Sequence, residues 1–190
     1  WGIIHEFLEK LTIKKIGKMI NIEELYSEYN KHITFVTTNY TQQHTEYISV
    51  DNHPKIPCLT AIRMSCNIPL FFQNFKYFDS YYIDGALSNN FPINMINDDD
   101  KGVLSIFCKT KQNQDPTELG IINYLYSLLL VSIRYNERNN VNTYEKKDNL
   151  DIVEIDCTNY NSNFFYMKNQ EILNIFSYGY QAFRKIKEDK

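Results

Sequence analysis

The stretch that decides the fold is Tyr82-Ile83-Asp84-Gly85-Ala86-Leu87-Ser88-Asn89-Asn90-Phe91-Pro92. Aromatic and β-branched residues lead up to Asp84 from Ser80 and are typical of a short strand. Gly85 permits a tight or positive-φ turn directly after the acid. Asp84 is therefore predicted to stand at the end of a strand, where α/β enzymes tend to keep their working groups. A bare Asp-Gly pair is more typical of a turn whose acid bonds only its own backbone, so the neighbouring sequence has to decide.

The composition indicates one folded domain. The 190 residues are 43% hydrophobic, which is enough to bury on the order of 70% of the surface of the unfolded chain. The formal net charge is −3, from 20 basic and 23 acidic residues. Because these charges are well mixed, no basic stripe indicates a nucleic-acid partner. The apolar run at 119–133 is shorter than the roughly 20 residues of a membrane span, so no transmembrane segment is predicted.

The cysteines and the N-terminus give information about the cellular compartment of the protein. Four cysteines lie far apart without metal-binding spacing and are predicted to be reduced and mostly buried; they are Cys58, Cys66, Cys108 and Cys157. No secretory signal is recognised at the N-terminus. The chain begins with Trp1 and its first methionine is Met19, so we expect it to begin inside a longer gene product. Its localisation stays unknown, with an intracellular site, cytoplasmic or peripheral to a membrane, favoured.

Hydrophobic periodicity and turn signals predict the elements around the motif. Asn21 has the position of an N-cap, with Glu24 placed to complete a capping box. The strand at 103–107 is expected to be covered on both faces, and the helix after Asp115-Pro116 to run to about Arg134. The predicted helices cover 3–11, 22–29, 57–65, 116–134 and 172–186, a short turn or helix covers 92–96, an aromatic connection covers 68–78, and the strands cover 33–38, 46–50, 80–83, 103–107 and 151–155.

The usual catalytic motifs are missing from the sequence. None of the histidines stands in a motif, and surface or capping roles are favoured for all of them; they are His5, His32, His44 and His53. No glycines bracket a serine as G-x-S-x-G, so no nucleophile elbow is present. The run Asp98-Asp99-Asp100 is interpreted as a solvated loop rather than a metal site. No metal and no cofactor are predicted.

Two motifs in order carry a family resemblance. The first is Ala61-Ile62-Arg63-Met64-Ser65-Cys66-Asn67-Ile68-Pro69-Leu70-Phe71-Phe72, and the second is Tyr82-Ile83-Asp84-Gly85-Ala86 with the following Asn90-Phe91-Pro92. Together they resemble the second half of a patatin-like phospholipase domain, in which a helix ending A-x-x-A-S-x-A-I-P precedes Y-x-D-G-G/A and N-x-P. Cys66-Asn67 stands where the family often has small residues, which leaves the shape of the active-site wall open.

The resemblance implies a fold and a reaction. The fold would be α/β, a three-layer α/β/α sandwich of patatin type, incomplete because the N-terminal strands and the nucleophile elbow are absent. Residues 1–190 would form a single partial domain, with a motif-bearing core at 31–110 and the C-terminal helices and last strand at 115–190. The reaction would be acyl-ester hydrolysis in glycerolipids by a Ser-Asp dyad. Asp84 matches the dyad aspartate, and Asp84, Gly85 and Ala86 form the DGA/G motif.

The serine partner of Asp84 would lie upstream of Trp1, so this chain alone is expected to be inactive. Ser65 and Ser88 lack the flanking glycines of an elbow and are interpreted as structural. The alternative function is a catalytically inactive, lipid- or partner-binding relative that lacks the nucleophile. Under the enzyme hypothesis the partner is a lipid substrate at a membrane or lipid surface, whereas the residues that bind it and the oligomeric state stay open.

Overall fold

The computed structural model describes residues 1–97, 102–109, 120–144, 150–158 and 168–188, with only the backbone of 142–144 and 185–188. The chain divides into two compact units. The first comprises Trp1–Pro92 with Leu125–Arg138, and the second comprises Ile93–Tyr124 with Asn139–Lys190. Each unit combines helices with strands, which confirms the α/β class. A single partial domain over 1–190 stays a prediction.

The first unit is built on a four-stranded antiparallel sheet. Its strands are β1 (Phe35–Asn39), β2 (His44–Ile48), β3 (Phe75–Tyr77) and β4 (Ser80–Asp84), in the order β2-β1-β4-β3. β1 and β2 pair antiparallel, as the sequence predicts. In the central β1–β4 pair, Thr37 lies opposite Asp84. The end of β4 is thus supported by a neighbouring strand, which fixes the position at which Asp84 leaves the sheet.

Four helices accompany this sheet, and they are α1 (Gly2–Ile16), α2 (Ile22–Tyr29), α3 (Cys58–Ser65) and the short α4 (Ala86–Asn89). The capping box predicted for α2 is present, since Glu24 N donates to Asn21 Oδ1 at 2.8 Å and Asn21 N donates to Glu24 Oε2 at 2.9 Å. Helix α1 also forms where predicted. None of its residues is buried, and Ile3 is 86% exposed.

The core of the first unit lies between the sheet and helices α2 and α3. Six buried residues form it, and they are Ile22, Ile48, Ile56, Ala61, Met64 and Tyr82. Ala61 and Met64 are fully buried on α3, so the first of the two family motifs contributes core residues directly. Its small residue allows α3 to pack closely on the sheet, as expected for the segment that precedes Asp84.

The second unit contains a 3₁₀ turn (Ile93–Met95), β5 (Val103–Lys109), β6 (Leu150–Asp156) and α6 (Asn169–Glu188). β5 and β6 pair in parallel. The prediction that 103–107 is covered on both faces is wrong for the described structure, because Leu104 is 46% and Ile106 is 58% exposed. Side chains alternate along the strand, and only one face of β5 is partly covered.

A long helix, α5 (Ile121–Tyr144), contributes to both units, its section 125–138 belonging to the first. It continues past Arg134, where the sequence predicts its end. The predicted start at Asp115-Pro116 and the acidic run Asp98-Asp99-Asp100 lie outside the described residues. Among the helices that the structure describes, none combines the length and the apolar run needed to cross a bilayer.

Two further predictions need correction. The aromatic connection at 68–78 contains β3, which forms a hairpin with β4 and pairs Tyr77 with Ser80; three residues are too few for a periodic signal. All four cysteines are free, as predicted, but Cys66 and Cys108 are exposed and only Cys157 is buried. Cys66 follows the end of α3, and this places it at the surface next to the Asp84 loop.

Candidate active site

Asp84 lies at the end of β4, as predicted, and its backbone is tied to the segment after α3. Asp84 N donates to the carbonyl of Asn67 at 3.0 Å, and Gly85 N donates to the carbonyl of Ser65 at 3.2 Å. The side chain of Asn67 is buried, and its Nδ2 donates to the carbonyl of Tyr82 at 2.8 Å. The two family motifs are therefore joined by hydrogen bonds. They form one substructure around the carboxylate.

Gly85 is required by a close approach and not by its backbone angle. Its φ is −65°, in the ordinary right-handed region, so the positive-φ alternative in the sequence prediction is wrong. A Cβ at this position would lie 2.2 Å from the carbonyl oxygen of Val36 and 2.5 Å from its carbon. Real Cβ contacts essentially never fall below 3.0 Å. The glycine thus lets the turn after Asp84 press against the backbone of β1.

Two threonines of β1 hold the other side of the loop. The hydroxyl of Thr37, which is fully buried, lies 3.0 Å from the carbonyl oxygens of both Met64 and Ile83. The hydroxyl of Thr38 donates to the backbone carbonyl of Asp84 at 3.1 Å. Because each buried carbonyl needs a donor, these hydroxyls fix β4 against β1 and α3. The sequence indicates the strand but gives no sign of this role.

The carboxyl group of Asp84 has one anchored oxygen and one open oxygen. Oδ1 accepts a hydrogen bond from Ala86 N at 2.8 Å. Oδ2 accepts none from the part of the chain that the structure describes, and no described lysine or arginine forms an ion pair with Asp84. Burial raises the pKa of Asp84, and the hydrogen bond from Ala86 opposes this shift. A desolvated carboxylate held by one oxygen is suited to accept a proton at the other.

Two further titratable side chains lie close enough to Asp84 for its charge to act on them. Burial and, to a smaller extent, the charge of Asp84 raise the pKa of the Cys66 thiol and of the Tyr126 hydroxyl. Tyr126 lies on α5 and contacts Phe71 edge to face, with 5.0 Å between ring centroids. Sequence reasoning missed Tyr126, because the residue is distant from the motif along the chain and its helix carries no catalytic pattern.

A second contact connects α5 with the segment after Asp84. Asn90 Nδ2 donates to Glu137 Oε1 at 2.6 Å, and burial is the main cause that raises the pKa of Glu137. Asn90 belongs to the N-x-P part of the family motif. The section 125–138 of α5 and the motif therefore lie together in the first unit.

The other candidate residues take structural positions. The hydroxyl of Ser88 is 2.7 Å from that of Thr38 and 3.4 Å from the carbonyl of Gly85. Ser65 contacts the loop after Asp84 through its backbone carbonyl, which accepts a hydrogen bond from Gly85 N. No described histidine hydrogen-bonds to Asp84. His32 lies 3.0 Å from Asp51, and His53 lies 2.8 Å from Glu46.

Comparison with known proteins shows which family the site-bearing part of the chain resembles. Residues 4–96 match the family model described as patatin-like phospholipase. The matched part contains both motifs, Asp84 and all four strands of the first unit's sheet. Residues 4–96, a little under half of the chain, are thus similar to the patatin-like phospholipase family.

Two viral proteins are similar to the chain over longer stretches. "Probable lipid hydrolase 463L" of Invertebrate iridescent virus 6 is 22% identical over 149 residues, which cover 78% of this chain and 46% of that protein. "Uncharacterized protein R571" of Acanthamoeba polyphaga mimivirus is 27% identical over 126 residues, which cover 64% of this chain and 42% of that protein. The aligned part of the chain thus spans less than half the length of each relative.

Proposed function

We propose that this chain supplies the aspartate half of a lipid acyl hydrolase, in which Asp84 is the general base of a Ser-Asp dyad. The observation that carries the proposal is the carboxyl group itself. It is partly buried at a strand end, one oxygen is held by Ala86 N, and the other accepts no hydrogen bond from a described residue. The match of residues 4–96 to the patatin-like phospholipase family model supports the same role.

The proposed chemistry is proton transfer coupled to acyl transfer. A serine hydroxyl placed at Oδ2 would give its proton to Asp84 while its oxygen attacks the ester carbonyl. The open Oδ2 is the only carboxylate oxygen that the loop leaves available, because Oδ1 holds the turn. Burial raises the proton affinity of the carboxylate, which makes the transfer from a weak acid such as serine less unfavourable. No histidine is required in this scheme.

The serine and the oxyanion hole belong to the proposal as well. This chain contains no G-x-S-x-G sequence, and the proposal places the serine upstream of Trp1, together with a glycine-rich loop that stabilises the tetrahedral intermediate. The complete domain is proposed to be a three-layer α/β/α sandwich of which residues 1–190 form one part. The substrate is an acyl ester of a glycerolipid, reached at a membrane or lipid surface.

The test uses the gene product extended upstream of Trp1. Hydrolysis of a short-chain ester such as p-nitrophenyl butyrate is measured for the wild type and for Asp84→Asn. The substitution keeps the shape of the side chain but removes the base, so kcat is expected to fall by roughly 10⁴-fold. The matched control is Asp51→Asn, which changes an exposed carboxylate of the same unit and is expected to leave kcat unchanged.

Two outcomes would overturn the proposal. Unchanged turnover in Asp84→Asn would show that the carboxylate is not the base. An extended gene product without an in-frame G-x-S-x-G would support the other function, a catalytically inactive relative that binds a lipid or a partner. The polypeptide 1–190 alone is expected not to hydrolyse the ester, because it contains only one half of the dyad.

A further inference from the structure

A cavity outside the candidate active site lies at the β3–β4 hairpin, and Asp84 does not line it. The cavity, of about 480 Å³, is formed between this hairpin and the loop 52–56. This volume falls in the range of roughly 300–1,000 Å³ that is typical of small-molecule sites. Most of its lining surface is apolar, although half of the lining residues are polar or charged. The size of the cavity therefore suits a small molecule.

Three aromatic residues line the cavity, and they are Tyr77, Phe78 and Tyr82. Tyr77 and Phe78 meet edge to face with 4.6 Å between ring centroids. Tyr82 is buried, and its hydroxyl is hydrogen-bonded to the carboxylate of Glu46. Tyr77 and Tyr82 lie on the same face of the hairpin, because side chains alternate along each strand and Tyr77 pairs with Ser80. The electron-rich faces of such rings attract cations.

Phe78 occupies an unfavourable position for its residue type. It stands in the two-residue turn of the hairpin with φ 48°, a left-handed angle that Asn or Gly adopts more easily than a bulky side chain. It is also 83% exposed. The ring of Phe78 therefore contributes little buried apolar surface to the fold, although it contacts Tyr77. Strain of this kind is often found at sites of function.

The charges around the cavity favour a cation. Asp79 follows Phe78 in the turn, and no ion pair joins it to any residue in the described part of the chain. Lys55, which also lines the cavity, is already paired with Glu23. His53 is bonded to Glu46 at 2.8 Å. Among the charged side chains that line the cavity, Asp79 is thus the one that no ion pair in the described part of the chain compensates.

From these contacts we infer that the cavity binds a quaternary ammonium group between the rings of Tyr77, Phe78 and Tyr82, with Asp79 as its counter-ion. Aromatic cages of this kind recognise trimethylammonium groups through cation–π attraction. The group could come from free choline or from the head group of a choline lipid. The inference stands apart from the proposed hydrolase, since Asp84 takes no part in the site.

The decisive experiment compares choline with 3,3-dimethylbutan-1-ol, its neutral isostere, by titration of the whole chain followed by NMR. The two molecules have the same shape and differ in charge. Choline is expected to bind at least about tenfold more tightly, because the cation–π and Asp79 interactions act only on the cation. Equal affinity, or tighter binding of the neutral isostere, would overturn the inference and leave an ordinary apolar pocket.

Variants of the turn separate binding from folding. Phe78→Asn removes the ring while introducing a residue that suits the left-handed angle, so the melting temperature should stay equal or rise while choline affinity falls about tenfold or more. Asp79→Asn should weaken choline and leave 3,3-dimethylbutan-1-ol unaffected. The controls are Tyr40→Asn and Glu6→Gln, at exposed positions away from the cavity. Full choline affinity in Phe78→Asn would contradict the assignment.

A vesicle arm distinguishes the two sources of the ligand. The chain is sedimented with phosphatidylcholine vesicles in the presence and absence of excess choline. Sedimentation that choline abolishes identifies a lipid head group as the source, whereas choline binding in solution without sedimentation identifies the free molecule. If neither excess choline nor Phe78→Asn changes the sedimentation, this cavity does not contact the lipid. That result would contradict the head-group source.

Discussion

Replacement of Gly85 by alanine tests the packing that places Asp84. The added Cβ would meet the carbonyl oxygen of Val36 at 2.2 Å, well inside the 3.0 Å limit of real contacts. The oxygen belongs to backbone in the central β1–β4 pair, so it cannot rotate away as a flexible side chain would. Overpacking of this kind costs about 3 kcal/mol. The turn would have to move away from β1 by several tenths of an ångström or more.

The assay is thermal unfolding of the whole chain followed by circular dichroism. For a chain of this size, a loss of about 3 kcal/mol lowers Tm by roughly 6–12 °C. Gly2→Ala is the matched control, because a Cβ at Gly2 meets nothing within 4 Å; its Tm should equal that of the wild type or exceed it slightly. A Gly85→Ala protein that melts within about 1 °C of the control would refute the close-approach explanation.

Two further predictions concern stability. Burial raises the folded-state pKa of Asp84 above 3.8. Between the unfolded-state and the folded-state pKa, the native state therefore binds more protons than the unfolded chain. The stability that this group contributes at low pH is lost as pH rises through the folded-state pKa. Asp84→Asn should therefore raise Tm at about pH 7.5 and lose this advantage toward pH 3.8; a constant difference across that range would contradict the direction of the shift. Asn21→Ala removes the capping box of α2 and should cost about 1 kcal/mol in urea unfolding, whereas Asn30→Gly, at a left-handed C-cap, should be neutral; equal effects would show that the cap contributes nothing.

Local rules account for the elements that the sequence predicts well. The capping box of α2 involves only Asn21 and Glu24, three residues apart, and it forms as expected. The strand ending at Asp84 is likewise defined by its own aromatic and β-branched residues. The family motifs add the link between α3 and this strand, which hydrogen bonds from Asp84 N and Gly85 N then establish.

Tertiary contacts account for what the sequence could not show. The need for glycine at position 85 depends on Val36, in a strand distant along the chain. Tyr126 approaches Asp84 only because the middle of α5 belongs to the first unit. The exposure of Ile106 depends on which elements cover β5, a property that its continuous apolar run does not encode. Pattern reasoning therefore finds the acid and its strand but not the residues that surround it.

The measurement that tests the role of Asp84 most directly is the rate at which a fluorophosphonate labels the serine of the upstream-extended protein. The reagent reports activation of the nucleophile without requiring lipid binding. If Asp84 takes the serine proton through Oδ2, labelling should slow by on the order of 10⁴-fold in Asp84→Asn and stay unchanged in Asp51→Asn. Equal labelling rates in the wild type and in Asp84→Asn would contradict the account, because the serine would then be activated by another group.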